Sequence, residues 1–293
     1  MPVLVNVRAG RRTERALQPL RDILNRAGVL TDIQAIEPER LARALGRLVA
    51  AHTPVVAVAG GDGSLRTAAN VLAGTTTALG VIPLGTLNHF ARRIGVPDPP
   101  TAARTLRAGR LARVSLGIVG AHVFLNTATF GEYGRVVHRR ERLRRLIGKW
   151  PGALLGLGEV VLRSRRLQAV IETPTTALQR ATPLLWVGIG RESFPRALDD
   201  PRLGADELEV VVLRPCGRLE MMRVMAVTFR DAWRGRRSEP TGAIELLHTR
   251  SLLVRSDAAR IDATLDGELH AFEPPVFVAV QENALRVLVP PDA

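Results

Sequence analysis

The residues best suited to chemistry in this 293-residue chain lie in Val55–Asn88, VVAVAGGDGSLRTAANVLAGTTTALGVIPLGTLN. Gly60-Gly61-Asp62-Gly63-Ser64 sets three glycines around one carboxylate and ends on a hydroxyl. Glycine leaves backbone N–H groups uncovered and takes conformations closed to other residues. Leading into a helix start, such a turn offers unpaired N–H donors and the positive end of the helix dipole to an anion, phosphate above all. A second turn, Pro83-Leu84-Gly85-Thr86-Leu87-Asn88, follows at once and adds a hydroxyl and an amide. Tight strand–helix packing would explain either turn alone. Together, one with an acid and the other with Thr86 and Asn88, they favour a nucleotide phosphate site. Neither GxxxxGK followed by Ser or Thr nor GxGxxG is present, which argues against a P-loop NTPase or a dinucleotide-dependent oxidoreductase.

Regular elements must hold these turns. The apolar run Val55–Ala59 suits a strand buried on both faces, Leu65–Ala73 has helical spacing, and Ala78–Ile82 is a second strand. Upstream, Val3–Val7 reads as a strand and Arg15–Ala27 as an amphipathic helix closed by Gly28. Thr31–Ile36 is a further strand and Pro38–Ala51 a helix. Downstream come a short helix His89–Ile94, a turn Pro97–Pro100 and a helix Thr101–Ala108. His89, alone at a helix start, reads as a packed side chain. Alternating strands and helices imply a doubly wound parallel sheet with right-handed crossovers.

From Arg113 the texture changes to short apolar runs between Gly, Pro and Asp turns. These are Val114–Val119, His122–Asn126, Leu167–Glu172, Leu184–Ile189, Leu208–Leu213, Ser251–Arg255, Ala259–Leu265, Val276–Gln281 and Leu285–Val289. They predict an antiparallel sandwich or barrel-like domain, interrupted by helices at Arg135–Val161 and Leu219–Trp233. The division expected is residues 1–112 and residues 113–283, followed by a C-terminal strand at 284–293.

Composition narrows the class. Hydrophobic content of 46% with 24% charged residues suits a globular core, filled by Leu, Val and Ala because aromatics make up only 4%. The single cysteine, Cys216, excludes an internal disulfide framework and points to a reducing compartment. No apolar run reaches the ~20 residues of a membrane span and the N-terminus lacks a signal peptide's layout, so a cytoplasmic protein is expected, at most peripheral to a membrane. A net charge of +13 implies an acidic partner, although arginine replacing lysine on solvated faces accounts for part of it. Val136–Trp150 alternates His138, Arg139, Arg140, Arg142, Arg144, Arg145 and Lys149 with Leu143, Leu146, Ile147 and Trp150. That pattern fits either attachment to an anionic lipid surface or a solvated helix face. With aromatic stacking residues so scarce, nucleic acid is not the expected partner.

GGDGS followed by PLGTLN resembles the paired blocks of the diacylglycerol kinase catalytic family, which includes bacterial lipid kinases and sphingosine kinases. Its wider superfamily takes in NAD kinases and phosphofructokinases. Later stretches are similar in order: Phe124-Leu125-Asn126 through Gly131, the basic helix to Lys149-Trp150-Pro151, and Leu265-Asp266-Gly267-Glu268. The resemblance implies an α/β nucleotide-binding domain to which the C-terminal strand 284–293 returns, a β-sandwich lipid-substrate domain, and an active site in the cleft between them. It implies ATP and Mg²⁺, a lipid acceptor, and a homodimer as one possible assembly.

Site residues are carried over position by position. Asn6-Val7-Arg8-Ala9-Gly10 resembles the family's phosphate-side turn, with Val7 where proline is usual; Arg11 and Arg12 follow it. Gly60, Gly61, Gly63 and Ser64 would cradle phosphate, with Leu65, Arg66 and Thr67 opening the helix behind them. Asp62 would position Mg²⁺-ATP or an active-site water, and Thr86 and Asn88 complete the nucleotide side. Leu203-Gly204-Ala205-Asp206-Glu207-Leu208 resembles a metal-holding stretch that uses the carbonyls of Leu203 and Leu208 with the Asp206 carboxylate. Glu207 and Gly204 depart from the family's glycine and second acid. Asp-Gly is by itself a common hairpin signal, but the family places its general base on the glutamate of this block, here Glu268. The alternatives are a soluble-metabolite kinase of the same superfamily and a non-catalytic lipid- or nucleotide-binding regulator.

Overall fold

The computed structural model describes residues 1–6, 14–131, 167–182, 184–189, 206–214 and 244–291. The chain forms two compact units, Met1–Leu116 with Glu282–Ala293, and Gly117–Gln281.

The first unit runs β1 (Pro2–Asn6), α1 (Glu14–Arg26), β2 (Asp32–Ile36), α2 (Pro38–Ala50), β3 (Val55–Gly60), α3 (Asp62–Leu72), β4 (Ala78–Pro83), α4 (His89–Arg93) and α5 (Pro99–Ala108). β1 pairs in parallel with β2 on one side and β3 on the other, and β3 pairs in parallel with β4. The returning C-terminal strand adds a further parallel neighbour, Val287 opposite Leu79. The sheet order is therefore β2-β1-β3-β4, all parallel, with the order of winding reversing between β1 and β3.

Apolar sequence explains the layers. β4 is buried throughout and β3 from its second residue on, so both sheet faces are covered. Helix α1 packs with α5 and α2 with α3. Leu41, Leu45, Leu65 and Leu72 are almost wholly buried on the second pair, each adding about 2 kcal/mol relative to exposure.

Two helices begin earlier than their sequence patterns predict. α3 starts at Asp62 rather than Leu65, because the N–H groups of Ser64 and Leu65 both donate to the Gly61 carbonyl and close the first turn inside the glycine block. α5 starts at Pro99 within the expected turn. The Asp98 carboxylate caps it by accepting from the Thr101 N–H at 2.8 Å, and two prolines fit the first positions, where no N–H is needed.

The second unit takes over within β5 (Arg110–Val119), whose last residues pair with β6 (His122–Phe124). Its six-stranded sheet is antiparallel, in the order β12 (Ile244–Thr249), β11 (Leu208–Leu213), β10 (Leu185–Ile189), β7 (Thr127–Phe130), β14 (Ile261–Leu265), β15 (Glu268–Phe272). A second antiparallel set joins β9 (Ala177–Thr182), β8 (Leu167–Glu172), β13 (Ser251–Arg255) and the first half of β16 (Val276–Val289). Ile171 and Val278 from one set meet Phe130, Val187 and Val210 from the other in a single core, as in a sandwich.

The strand assignments change in three ways. The run His122–Asn126 stops at Phe124 and pairing resumes at Thr127, since the intervening N–H groups turn to a carboxylate. Val276–Gln281 and Leu285–Val289 are one strand: Asn283 bends locally at φ +52 and donates its N–H to Ser115 Oγ at 3.0 Å, so the polar Gln281-Glu282-Asn283 is no turn. Four strands, β7, β9, β12 and β15, have no counterpart among the expected runs.

Candidate functional site

Reversal of strand order leaves a crevice at the carboxyl ends of β1 and β3, where open α/β sheets hold ligands. Asn6 ends β1, and Gly60-Gly61 joins β3 to α3. The side-chain amide of Asn6 donates to Ser64 Oγ at 2.6 Å, tying the two elements together. Gly60 permits this arrangement, because a Cβ there would lie 2.5 Å from Ser64 Oγ and 2.6 Å from its Cβ. Ser64 is almost fully buried in this fold-back, while among the described residues Asn6 Oδ1 is a buried acceptor with no hydrogen-bond partner. A ligand hydroxyl or a water can supply the missing donor.

Gly61 caps α3 with no side-chain acceptor, leaving the helix entrance to its backbone donors. Opposite it, the turn after β4 approaches backbone to backbone: a Cβ on Gly85 would meet the Gly61 Cα at 2.6 Å. The Leu84 N–H donates to the Gly60 carbonyl at 2.9 Å, joining the two loops. Asn88, in the left-handed region at φ +50, closes the second loop on itself. Its Oδ1 accepts from the Gly85 N–H and its Nδ2 donates to the Gly85 carbonyl, both at 2.9 Å. Asp62 Oδ1 accepts from the Phe90 N–H at 3.2 Å, so the acid in the glycine block also anchors α4.

Several expected ligands to the nucleotide thus have structural duties. Leu65 points into the core, Arg66 is buried, and the Thr67 hydroxyl donates to the Gly63 carbonyl at 3.1 Å. The Asn88 amide is committed to Gly85, whereas Thr86 stays exposed. His89 is exposed rather than packed. Asn6, Gly60, Gly61, Asp62, Gly63, Ser64, Gly85 and Asn88 form one cluster at the carboxyl ends of β1, β3 and β4. Gly85 was legible only as part of the second turn; its contact with Gly61 had no sequence signal.

An ATP phosphate fits this cluster, since the helix entrance is lined by glycine and lacks a side-chain cap. Asp206, Leu208 and Glu268 belong to the second unit. Asp206 precedes β11, which Leu208 opens, and Glu268 is exposed as the first residue of β15, opposite Leu265. Among the described residues no three His, Cys, Asp or Glu side chains gather to hold a metal. The expected set draws on one carboxylate and two carbonyls, and Leu203 lies outside the described residues. So do Val7, Arg8, Ala9, Gly10, Arg11 and Arg12, the basic stretch 135–161, and the helix expected at 219–233.

Comparison with known proteins agrees with the geometry. Residues 1–119 match the diacylglycerol kinase catalytic domain. The "Probable lipid kinase YegS-like" protein of Pseudomonas fluorescens is 42% identical over 104 residues, an alignment spanning 34% of this chain and 34% of that relative. The diacylglycerol kinase of Bacillus subtilis is 26% identical over 244 residues, 80% of this chain and 78% of that one. A crystal structure of a diacylglycerol kinase from Bacillus anthracis str. Sterne aligns at a TM-score of 0.71 and 17% identity, covering 99% of this chain and 97% of that chain. This last likeness is one of fold.

Proposed function

We propose, from the premise that residues 1–119 belong to the diacylglycerol kinase catalytic domain family, that this chain is an ATP-dependent lipid kinase acting on a hydroxyl of diacylglycerol or a related lipid. The observation that carries the reading is the glycine-lined start of α3 tied to β1 through Asn6 and Ser64, at the sheet's reversal point.

In this reading Gly61, Gly63 and Ser64 hold the triphosphate through N–H and hydroxyl donors. The acceptor oxygen attacks the γ-phosphorus as its bond to the β-bridging oxygen breaks, ADP leaves, and Glu268 takes the acceptor's proton. Positioning and charge stabilisation supply most of the acceleration. Asp62 sits at the phosphate end of the site, where a negative group is favourable only with a cation or a proton donor between it and the anion. Mg²⁺ would supply that neutralisation, with Asp206 and the Leu203 and Leu208 carbonyls as its proposed protein ligands.

No helix among the described residues is long and apolar enough to cross a membrane. The lipid acceptor is reached from the bilayer surface, with the basic residues 139–145 as the proposed contact for anionic headgroups. The deciding experiment incubates the chain with γ-labelled ATP and a panel of lipid extracts. Label appearing in diacylglycerol-derived phosphatidate supports the reading, whereas label only in water-soluble product overturns it in favour of a metabolite kinase. Binding to anionic liposomes that disappears on Arg-to-Glu changes in 139–145 would support the surface contact.

A further inference from the structure

We propose that His122 and His270 form a two-imidazole site for a divalent transition-metal ion, an inference that stands apart from the kinase reading. The two rings come from different sheets. His122 opens β6, which reaches β16 through β5, whereas His270 lies at the centre of β15 in the six-stranded sheet. Their ring centroids are 4.8 Å apart and their planes are inclined at 50°. Phe272, two residues along the same face of β15, stands edge-on to His122 at 5.8 Å and stacks on His270 at 6.1 Å.

Both imidazoles stand on anchored backbone. The turn Gly120-Ala121 joins Val119 to His122, which pair across the β5–β6 hairpin. Gly120, at φ +56, donates its N–H to the Phe277 carbonyl of β16 at 3.1 Å, so the turn is tied to its sheet. His270 pairs with Ala263 of β14, which pairs in turn with Phe130 of β7. Ala263 and Phe130 are wholly buried, and Phe272 packs against the same core. Little conformational freedom is left to lose when an ion joins the rings.

Neutral imidazole is a favoured ligand of Zn²⁺, Ni²⁺ and Cu²⁺. With metal–nitrogen bonds of about 2.1 Å, an ion bonded to both rings lies about 3.2 Å from each centroid. Centroids 4.8 Å apart then subtend about 95° at the ion, between the octahedral and tetrahedral angles. A ring nitrogen engaged elsewhere leaves the other for the ion, the usual arrangement of a ligating imidazole. Aromatic packing alone would account for His270 beside Phe272. It does not account for His122, which is exposed and so is not placed there by burial. Among the described residues no third His, Cys, Asp or Glu joins the pair to hold a metal. Water completes the coordination shell, and the ion braces β6 of one sheet to β15 of the other. Mg²⁺, which needs oxygen ligands, does not suit the site.

Isothermal titration of the chain with Ni²⁺ tests the site, with excess Mg²⁺ present throughout to fill oxygen-lined positions. The variants are His122→Phe and His270→Phe, which keep a ring in place but remove its nitrogens. Each should weaken the tightest Ni²⁺ binding step by at least about tenfold. The unfolding midpoint should rise with Ni²⁺ in the unmodified chain and rise less in either variant. Unchanged Ni²⁺ affinity in either variant would overturn the proposal, because the ion would then be held by one imidazole or by other donors. Displacement of Ni²⁺ from the unmodified chain by Mg²⁺ would overturn it too, since oxygen ligands would be holding the ion. If a Phe variant does not fold, His122→Gln decides alone, because an exposed position tolerates the change. Weakened Ni²⁺ binding there supports the site, and retained binding overturns it. Phosphoryl transfer enters none of these readouts, so failure of the site leaves the proposed function standing.

Discussion

The side-chain amide of Asn6 and the hydroxyl of Ser64, 58 residues apart in the chain, meet at 2.6 Å. This bond joins the end of β1 to the first turn of α3, the two elements that flank the reversal of the sheet. Among the described residues Asn6 Oδ1 is buried without a partner, and the side-chain bond of the amide goes to Ser64.

Ser64→Ala leaves the Asn6 donor unsatisfied in a part-buried site, at a cost of about 1–3 kcal/mol in thermal unfolding. Losing the hydroxyl from the proposed phosphate site should lower kcat/KM for ATP about a hundredfold. The Asn6→Ala, Ser64→Ala double variant should lose less than the sum of the two, as residues sharing one bond do. Additive losses would show that they act separately.

Replacing Gly85 should be worse than replacing Gly61. The Gly85 Cβ would lie 2.6 Å from the Gly61 Cα and 2.7 Å from Asn88 Oδ1, whereas the Gly61 Cβ would lie 3.2 Å from the Gly85 Cα. Gly85→Ala must push the two loops apart and is expected to destabilise by about 1–3 kcal/mol, with loss of nucleotide binding. Gly61→Ala should be milder. Isothermal titration with ATP and denaturant unfolding would rank them.

Asn88→Ala removes two hydrogen bonds and puts a Cβ-bearing residue without a local polar partner at φ +50. The combined loss is about 3 kcal/mol. Asn88→Gly relieves the backbone strain but not the missing bonds, so it should recover part of that stability. Both variants should speed amide exchange at Gly85.

The Asp98 carboxyl is held below the usual carboxylate value, chiefly by the Thr101 N–H it caps and with help from the Arg104 guanidinium. A depressed folded pKa stabilises above the unfolded value of about 3.9 and loses that contribution as pH falls through the folded value. Asp98→Ala should therefore cost about 1 kcal/mol at pH 7. The difference from the unmodified chain should shrink below about pH 4. A difference that persists unchanged at pH 2.5 would show that the cap does not depend on ionisation.

Asp62→Asn retains an oxygen for the Phe90 N–H and should leave the fold intact. It should nevertheless cut turnover by about two orders of magnitude or more, because the carboxylate's charge is lost from the proposed phosphate site. Circular dichroism melting alongside kcat separates the two effects.

Much of the first unit was legible residue by residue. Val55–Ala59 followed by paired glycines has one economical reading, a buried strand feeding a phosphate-ready helix, and β3 and α3 match it within a few residues. The second unit was less legible. Leu125 and Asn126 continue an apolar run, yet they leave the ladder because Asp266, more than a hundred residues later, takes their N–H groups. Gln281-Glu282-Asn283 is polar enough for a turn but remains in β16.

Local pattern determined the pieces: which runs are strands and which helices, where glycine bares the backbone, and which acids and hydroxyls stand at strand ends. The tertiary structure decided which ends meet. The order β2-β1-β3-β4 brings Asn6 to Ser64, and Gly85 to Gly61, through strand pairings set by packing between segments far apart in the chain. Periodicity records which face of a strand is buried but carries no information about its neighbour, so those juxtapositions had to come from the fold.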